Sequence, residues 1–369
     1  MERKPYTHVC GTTFAPPFVH FASPLCLHMC PPSQGCVRCA RKLIESGGSE
    51  THFLTAKMLG MVGLDRSSRH RTLEDGFMQC LKGIIDKEAS EDKVHAAAAQ
   101  ALANISSFSD LTGALVKRGG IDLLISLCSG HNMAAKHYCG TAFCNFLKDE
   151  SCHDAIIREG ALKPLMELSM DPQMANDKGL IKALSFAIYN ISCGKHTVDA
   201  VMEAGVLKCL VAVSTQDSVA IRERVAAAIC NLALSKYRRG KKTIALIMIE
   251  EKVLVAIKDM MDSKEEMLEM PEVTQQCVTA LAIFAHDRKT HKDIVAQGCV
   301  EVLVGLGLVS NDSETKCVCA SVLSSLTFGE VSRRKLIAEG GLQAIIRLSD
   351  SSDEKVSKAF VVPPPHPSN

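Results

Sequence analysis

Apolar residues recur along most of this chain at intervals of three and four. Ile121, Leu124, Ile125 and Cys128 form one such stripe, the pattern of a helix with a single buried face. Polar stretches such as SGHN, TQDS and SNDS interrupt the apolar runs, and their composition predicts loops. Longer segments rich in alanine follow these loops, as at residues 218–234. No alternation of apolar and polar residues predicts a sheet. The local pattern is that of helices throughout.

A longer period lies over the local one. The stretch AAAAQALANIS at residues 96–106 returns as GTAFCNFL at Gly140, SFAIYNIS at Ser185 and AAAICNLAL at Ala226. Its asparagines, Asn104, Asn145, Asn190 and Asn231, are spaced by 41, 45 and 41 residues, and Ile283 and Ser325 continue the register at intervals of 52 and 42. Met61 precedes them in the same register. A glycine opening an apolar helix follows this marker by 15 or 16 residues at Gly76, Gly120, Gly160, Gly205, Gly298 and Gly340, and Lys252 stands in its place once, 21 residues after Asn231 across an insertion. Two markers in constant phase imply internal repeats. Each unit reads as a short helix such as residues 110–117 or 153–158, a turn at a glycine suited to the left-handed conformation, a second helix such as residues 121–128, and a longer third helix. Ala101, Ala142, Ala187, Ala228 and Ala280 share one register position on the third helix, where a small side chain lets helices approach closely.

Composition sharpens this picture. Of 369 residues 47% are hydrophobic but only 4% aromatic, and there is no Trp, so the interior must be built from aliphatic residues, Met and Cys. The net charge of +1 argues against a surface dedicated to nucleic-acid phosphates. Most of the seventeen cysteines, among them Cys128, Cys139, Cys209 and Cys230, sit at apolar positions, as small buried hydrophobes in a reducing compartment. No apolar run reaches the length of about 18 residues that a membrane span requires. Prolines and histidines break up the first residues where a signal peptide needs an apolar region, and Glu2 removes the myristoylation signal. The expected location is the cytoplasm, with the nucleus and the cytoskeleton as alternatives.

The three-helix unit, the glycine before the second helix and the asparagine ending of the third resemble armadillo repeats over residues 50–358. HEAT repeats, with two helices per unit, are the competing solenoid. The resemblance implies an all-α, right-handed α-solenoid whose third helices line a concave groove. There the family's asparagine hydrogen-bonds the backbone of an extended peptide, which carries over to Asn104, Asn145, Asn190 and Asn231, while Ile283 and Ser325 depart from the pattern. The chemistry is sound in itself, because a primary amide offers two donors and an acceptor to a peptide N–H and C=O. With helices ~8–10 Å apart and an extended chain advancing ~3.3 Å per residue, successive amides would meet every second or third peptide residue. The alternative is that each amide bonds the neighbouring repeat and belongs to the stacking.

In nuclear-import adaptors of this family a Trp four residues before the asparagine forms pockets for lysines. Here those positions hold Gln100, Thr141, Phe186, Ala227, Thr279 and Ser321, so a basic import signal is an unsuitable cargo. Phe186 with Tyr189 and Asn190 is the candidate anchor, unless Phe186 is simply core. One further turn back, His137, Lys182 and Glu223 differ in sign. The expected function is a non-enzymatic scaffold or adaptor that holds an extended protein segment, with no cofactor. Two alternatives are an armadillo-type chaperone for a motor or cytoskeletal client and a structural part of a cilium or cytoskeletal assembly.

The 52-residue interval contains SKYRRGKKT (235–243), which is strongly basic, and an acidic stretch at 262–272. The first is either a solvated loop or a site for an acidic partner. Its GKKT is not a phosphate-cradling loop, because Ser235 stands where the first glycine should be. No nucleophile-elbow, zincin or dinucleotide motif is present. Residues 1–49, rich in Pro, Cys and His, are expected to be poorly structured. Within them Cys26, Cys30, Cys36 and Cys39, with His28 as a spare, form a candidate zinc set of unusually tight spacing. Residues 359–369 are a Pro-rich tail. The array should end in mid-repeat, leaving Leu342, Ile345 and Ile346 of the last second helix poorly covered, a face suited to self-association or to further chain.

Overall fold

The computed structural model describes residues 35–87, 91–194, 196–261 and 270–359. Two compact units divide the chain, Met1–Ala187 and Ile188–Asn369, with the boundary inside the helix Lys178–Ser192. Among the described residues the elements are helices, apart from one two-stranded hairpin.

In the first unit the predicted three-helix repeat is present in register. One complete example runs Ser109–Lys117, Gly120–Cys128 and Met133–Leu147. The third helices Ser49–Val62, Asp92–Ser106 and Met133–Leu147 pack in succession. In the second unit Val219–Ala233, Pro271–Ala285 and Ser313–Leu326 do the same. The register explains why these faces fit. Ala101, Ala142, Ala187, Ala228 and Ala280 are all fully buried, as are the apolar residues that follow the marker, Ile105, Phe146, Ile191, Leu232, Phe284 and Leu326. Helices also approach closely at Gly140. A Cβ there would lie 2.1 Å from Leu180 Cδ1, and Leu180 is itself fully buried.

The turn into the second helix is left-handed, as expected, with φ between +77° and +109° at Gly76, Gly119, Gly160, Gly205, Gly298 and Gly340. One position shifts from the sequence reading: the left-handed residue of the Gly119–Gly120 pair is Gly119, and Gly120 opens the helix. Lys252 adopts the same conformation at φ 65°, so the backbone of this turn is kept even where a side chain makes it unfavourable.

Two expectations about the ends are corrected or sharpened. Residues 36–46, placed in a poorly structured segment, form the helix Cys36–Ser46, which buries Val37, Ala40 and Ile44 and packs on Ser49–Val62 and Phe77–Lys87. It is the second helix of a further repeat, so the array begins before residue 50. At the other end Glu354–Lys358 starts a third helix with Val356 buried, and Leu342 and Ile346 remain 44% and 50% exposed. Residues 1–34 and 360–369, including most of the expected tail, lie outside the described residues.

The cysteines behave as core. Cys128, Cys139, Cys209 and Cys230 are buried, and burial pushes the Cys209 and Cys230 thiols up to about 12.

Candidate peptide-binding groove

The candidate residues lie one helical turn apart on the third helices, Gln100 before Asn104, Thr141 before Asn145 and Phe186 before Asn190. This i, i+4 spacing puts each pair on one helix face. Gln100, Thr141 and Phe186 are half-buried, and the Thr141 hydroxyl donates back to the His137 carbonyl.

The four asparagines do not share one role. Asn145 is 7% exposed. Its Nδ2 donates to the Ala103 carbonyl at 3.1 Å and to Ser106 Oγ at 3.2 Å. Ser106 Oγ in turn donates to the Ala103 carbonyl at 3.0 Å. A carbonyl can only accept, so the nitrogen must face it, and both amide hydrogens are then used. Asn104 makes the equivalent bond one repeat earlier, from Nδ2 to the Gly60 carbonyl at 3.0 Å, leaving one hydrogen and Oδ1. Gly60 and Ala103 each immediately precede the register position, so the first unit repeats one geometry. In both, the amide of a third helix ties down the carbonyl of the third helix before it.

The second unit differs. Asn231 Nδ2 donates to Cys193 Sγ at 3.3 Å, and that thiol donates to the Tyr189 carbonyl at 3.3 Å. Sulfur is a poor acceptor, so the amide is held weakly. Asn190 is half-buried, and among the described residues its side chain makes no hydrogen bond. On the residue before it, the Tyr189 ring has the Arg224 guanidinium 5.0 Å from its centroid. The second unit therefore offers a half-buried amide and, from the preceding residue of the same helix, an aromatic ring that carries a cation.

The reading of the asparagines from sequence overlooked the hydroxyls that share their bonds. Ser106 and Ser192 each follow an asparagine by two residues and donate to the carbonyl three residues back, and Thr327 does so in the Ser325 repeat. The signal was in the letters, since both NIS triplets carry it.

Electrostatics tighten the first unit further. His137 pairs with Asp177 at 2.7 Å. Burial works to raise the Asp177 carboxyl, but the Leu180 N–H and the His137 ring outweigh it and hold the group below its ordinary value. Lys136 pairs with Asp171 at 2.6 Å.

Of the candidate zinc set, Cys36 and Cys39 lie on the helix Cys36–Ser46, half-buried and exposed. Cys26 and Cys30 fall outside the described residues. Among the described residues no group of three or more His, Cys, Asp or Glu is arranged to hold a metal ion, and no helix is long and apolar enough to cross a membrane.

No protein-family model matches the chain, and a comparison with curated proteins finds no relative. Solved structures match in fold. An engineered protein shares 23% identity at a TM-score of 0.57, over 88% of this chain and 87% of its own. A designed armadillo repeat protein shares 22% at a TM-score of 0.51, over 65% of this chain and 97% of its own. Another, solved in complex with the peptide (KR)4, shares 21% at a TM-score of 0.52, over 65% and 96%. Together with the three-helix register these establish an all-α solenoid of armadillo type.

Proposed function

We propose that this chain is a non-enzymatic interaction scaffold that binds an extended segment of a protein partner along its third helices. The observation that carries this is the Asn190 amide, half-buried on a third helix with no hydrogen bond among the described residues. A primary amide on an otherwise well-satisfied helix surface is a ready partner for a peptide backbone, which presents a donor and an acceptor together. Tyr189 and Arg224 beside it supply an aromatic face and a cation for a side chain of the segment. The peptide complex of a designed armadillo repeat protein supports the reading by fold analogy. Asn190 and Asn231 are then the backbone-reading residues, and Asn104 and Asn145 serve chiefly to hold repeats together.

The test is selection from a random decapeptide library against the natural chain, followed by measurement of the selected peptides on Asn190→Ala/Asn231→Ala. Binding should weaken at least about tenfold, the worth of one or two hydrogen bonds, with helicity unchanged. Peptides that bind the variant equally well would remove these amides from the site.

A further inference from the structure

The basic stretch after Asn231 is not a loose loop. Arg238–Arg239 and Lys242–Thr243 form an antiparallel hairpin, pairing Arg238 with Thr243 and Arg239 with Lys242. Thr243 Oγ1 donates to Asp287 Oδ2 at 3.1 Å, which ties the hairpin to the corresponding turn of the next repeat. That turn is itself fixed, because Asp287 Oδ1 accepts from the Lys289 N–H at 3.0 Å. Two successive helix ends are thereby joined into one edge of the second unit.

This edge is basic and open. Lys236, Arg238, Arg239, Lys241 and Lys242 are all exposed, and so are Arg288 and Lys289 on the adjoining turn. Among the described residues, two carboxylates at this edge are already engaged. Glu250 pairs with Lys242 at 2.8 Å, and Asp287 is used by Thr243 and Lys289. Cross-strand partners share a face of the hairpin, so Arg238 stands on the Thr243 side. There a cleft of about 390 Å³ is lined by Ser235, Lys236, Tyr237, Arg238, Thr243 and Ile244. On the adjoining turn Arg288 rests 5.3 Å from the centroid of the half-exposed Phe328 ring. The first unit has nothing comparable at this position, where Ser107–Asp110 and Lys148–Ser151 follow the asparagines.

We propose that this edge docks an acidic, Asp- and Glu-rich stretch of the partner protein. The proposal rests on the peptide-scaffold reading and extends it, with charge complementarity as its argument. The hairpin leaves the C-terminal end of the helix that carries Asn231, so an acidic stretch adjoining the groove-bound segment would meet it in sequence. Arginine forks suit carboxylates in bidentate geometry, and the paired hairpin backbone sets Arg238 and Arg239 at fixed spacing along one strand.

The probe is a fluorescein-labelled Gly-Ser peptide carrying six glutamates, with a six-lysine peptide and a single-stranded oligothymidine as comparators. Anisotropy is read at about 0.02 M and about 0.3 M salt, on either side of effective screening. The variant Lys236→Ser/Arg238→Ser/Arg239→Ser/Lys241→Ser leaves the Lys242–Glu250 and Thr243–Asp287 contacts intact. The natural chain should bind the glutamate peptide in preference to both comparators, with affinity falling as salt rises. The variant should lose about tenfold or more. A folded Arg238→Glu/Arg239→Glu chain should prefer the lysine peptide. Asn190→Ala/Asn231→Ala should keep the glutamate peptide while losing library-selected ones, which separates failure of the edge from failure of the groove. Equal binding by the natural chain and the serine variant overturns the proposal, as does tighter, competing binding of the oligothymidine, which would make the edge a phosphate surface.

Discussion

The Asn145 amide donates to the Ala103 carbonyl 42 positions earlier in the chain, whereas the side-chain amide of Asn190, at the same register of the next repeat, makes no hydrogen bond among the described residues. Removing a buried donor strands its acceptors at a cost of about 1–3 kcal/mol. Asn145→Ala should therefore destabilise the chain by about that much. Asn190→Ala should stay within about 0.5 kcal/mol, as surface changes do. Urea titrations of both variants check this, and equal losses would contradict the division of roles.

Lys252 occupies a left-handed position that glycine fills in six other repeats. For a residue with a side chain that conformation costs roughly 1–2 kcal/mol, and glycine's extra unfolded-state freedom returns about 0.5–1 of it. Lys252→Gly should raise stability by about 0.5–1 kcal/mol. A lower melting temperature would show that the lysine side chain contributes more than its backbone loses.

At Gly140 the sign runs against the helix-propensity rule. Alanine normally gains about 0.5–1 kcal/mol over glycine inside a helix, yet here its methyl group would meet Leu180 in a filled interior. Overpacking costs about 1–3 kcal/mol, so Gly140→Ala should be destabilising in thermal denaturation.

Lys136 and Asp171 are 14% and 17% exposed, and the Lys136 hydrogen bond holds the Asp171 carboxyl below its ordinary value. A depressed carboxyl stabilises the fold above its unfolded value of about 3.9 and loses that contribution as pH falls through its folded value. Asp171→Asn should cost about 2 kcal/mol at neutral pH, and its deficit should shrink below about pH 4. Melting curves across pH 3–7 would show the two chains converging.

Leu342 and Ile346 lie exposed on the last second helix, whereas Leu303 is fully buried on the helix Cys299–Val309. Leu342→Ser/Ile346→Ser should change stability by no more than about 0.5 kcal/mol per site, and Leu303→Ser by several times that. Comparable losses in guanidinium titrations would mean that the exposed face is covered in solution.

Much of this architecture was written in two letters. Gly and Asn kept phase because one needs a left-handed turn and the other a fixed place on a packed helix. The helix Cys36–Ser46 was obscured by its surroundings: the prolines and cysteines before it coloured the whole segment, although Val37, Ala40 and Ile44 already carried helical spacing. The hairpin was illegible for another reason, since its four strand residues are polar and no alternation marks them. Whether an asparagine faces a partner or a neighbouring repeat depends on what lies across from it, which a register alone does not record. Ser106 and Cys193 decide that question locally.

The hairpin hangs from two helix ends and lends no side chain from its strands to the packed interior. Insertions at this turn are therefore nearly cost-free for the stack, since surface loops lengthen with only a logarithmic entropic cost. A lineage could rewrite the length and charge of its tip while the buried faces of the helices behind it stayed in place. Variation in partner preference would then accumulate at the rim of the array, while the repeat register behind it stayed fixed.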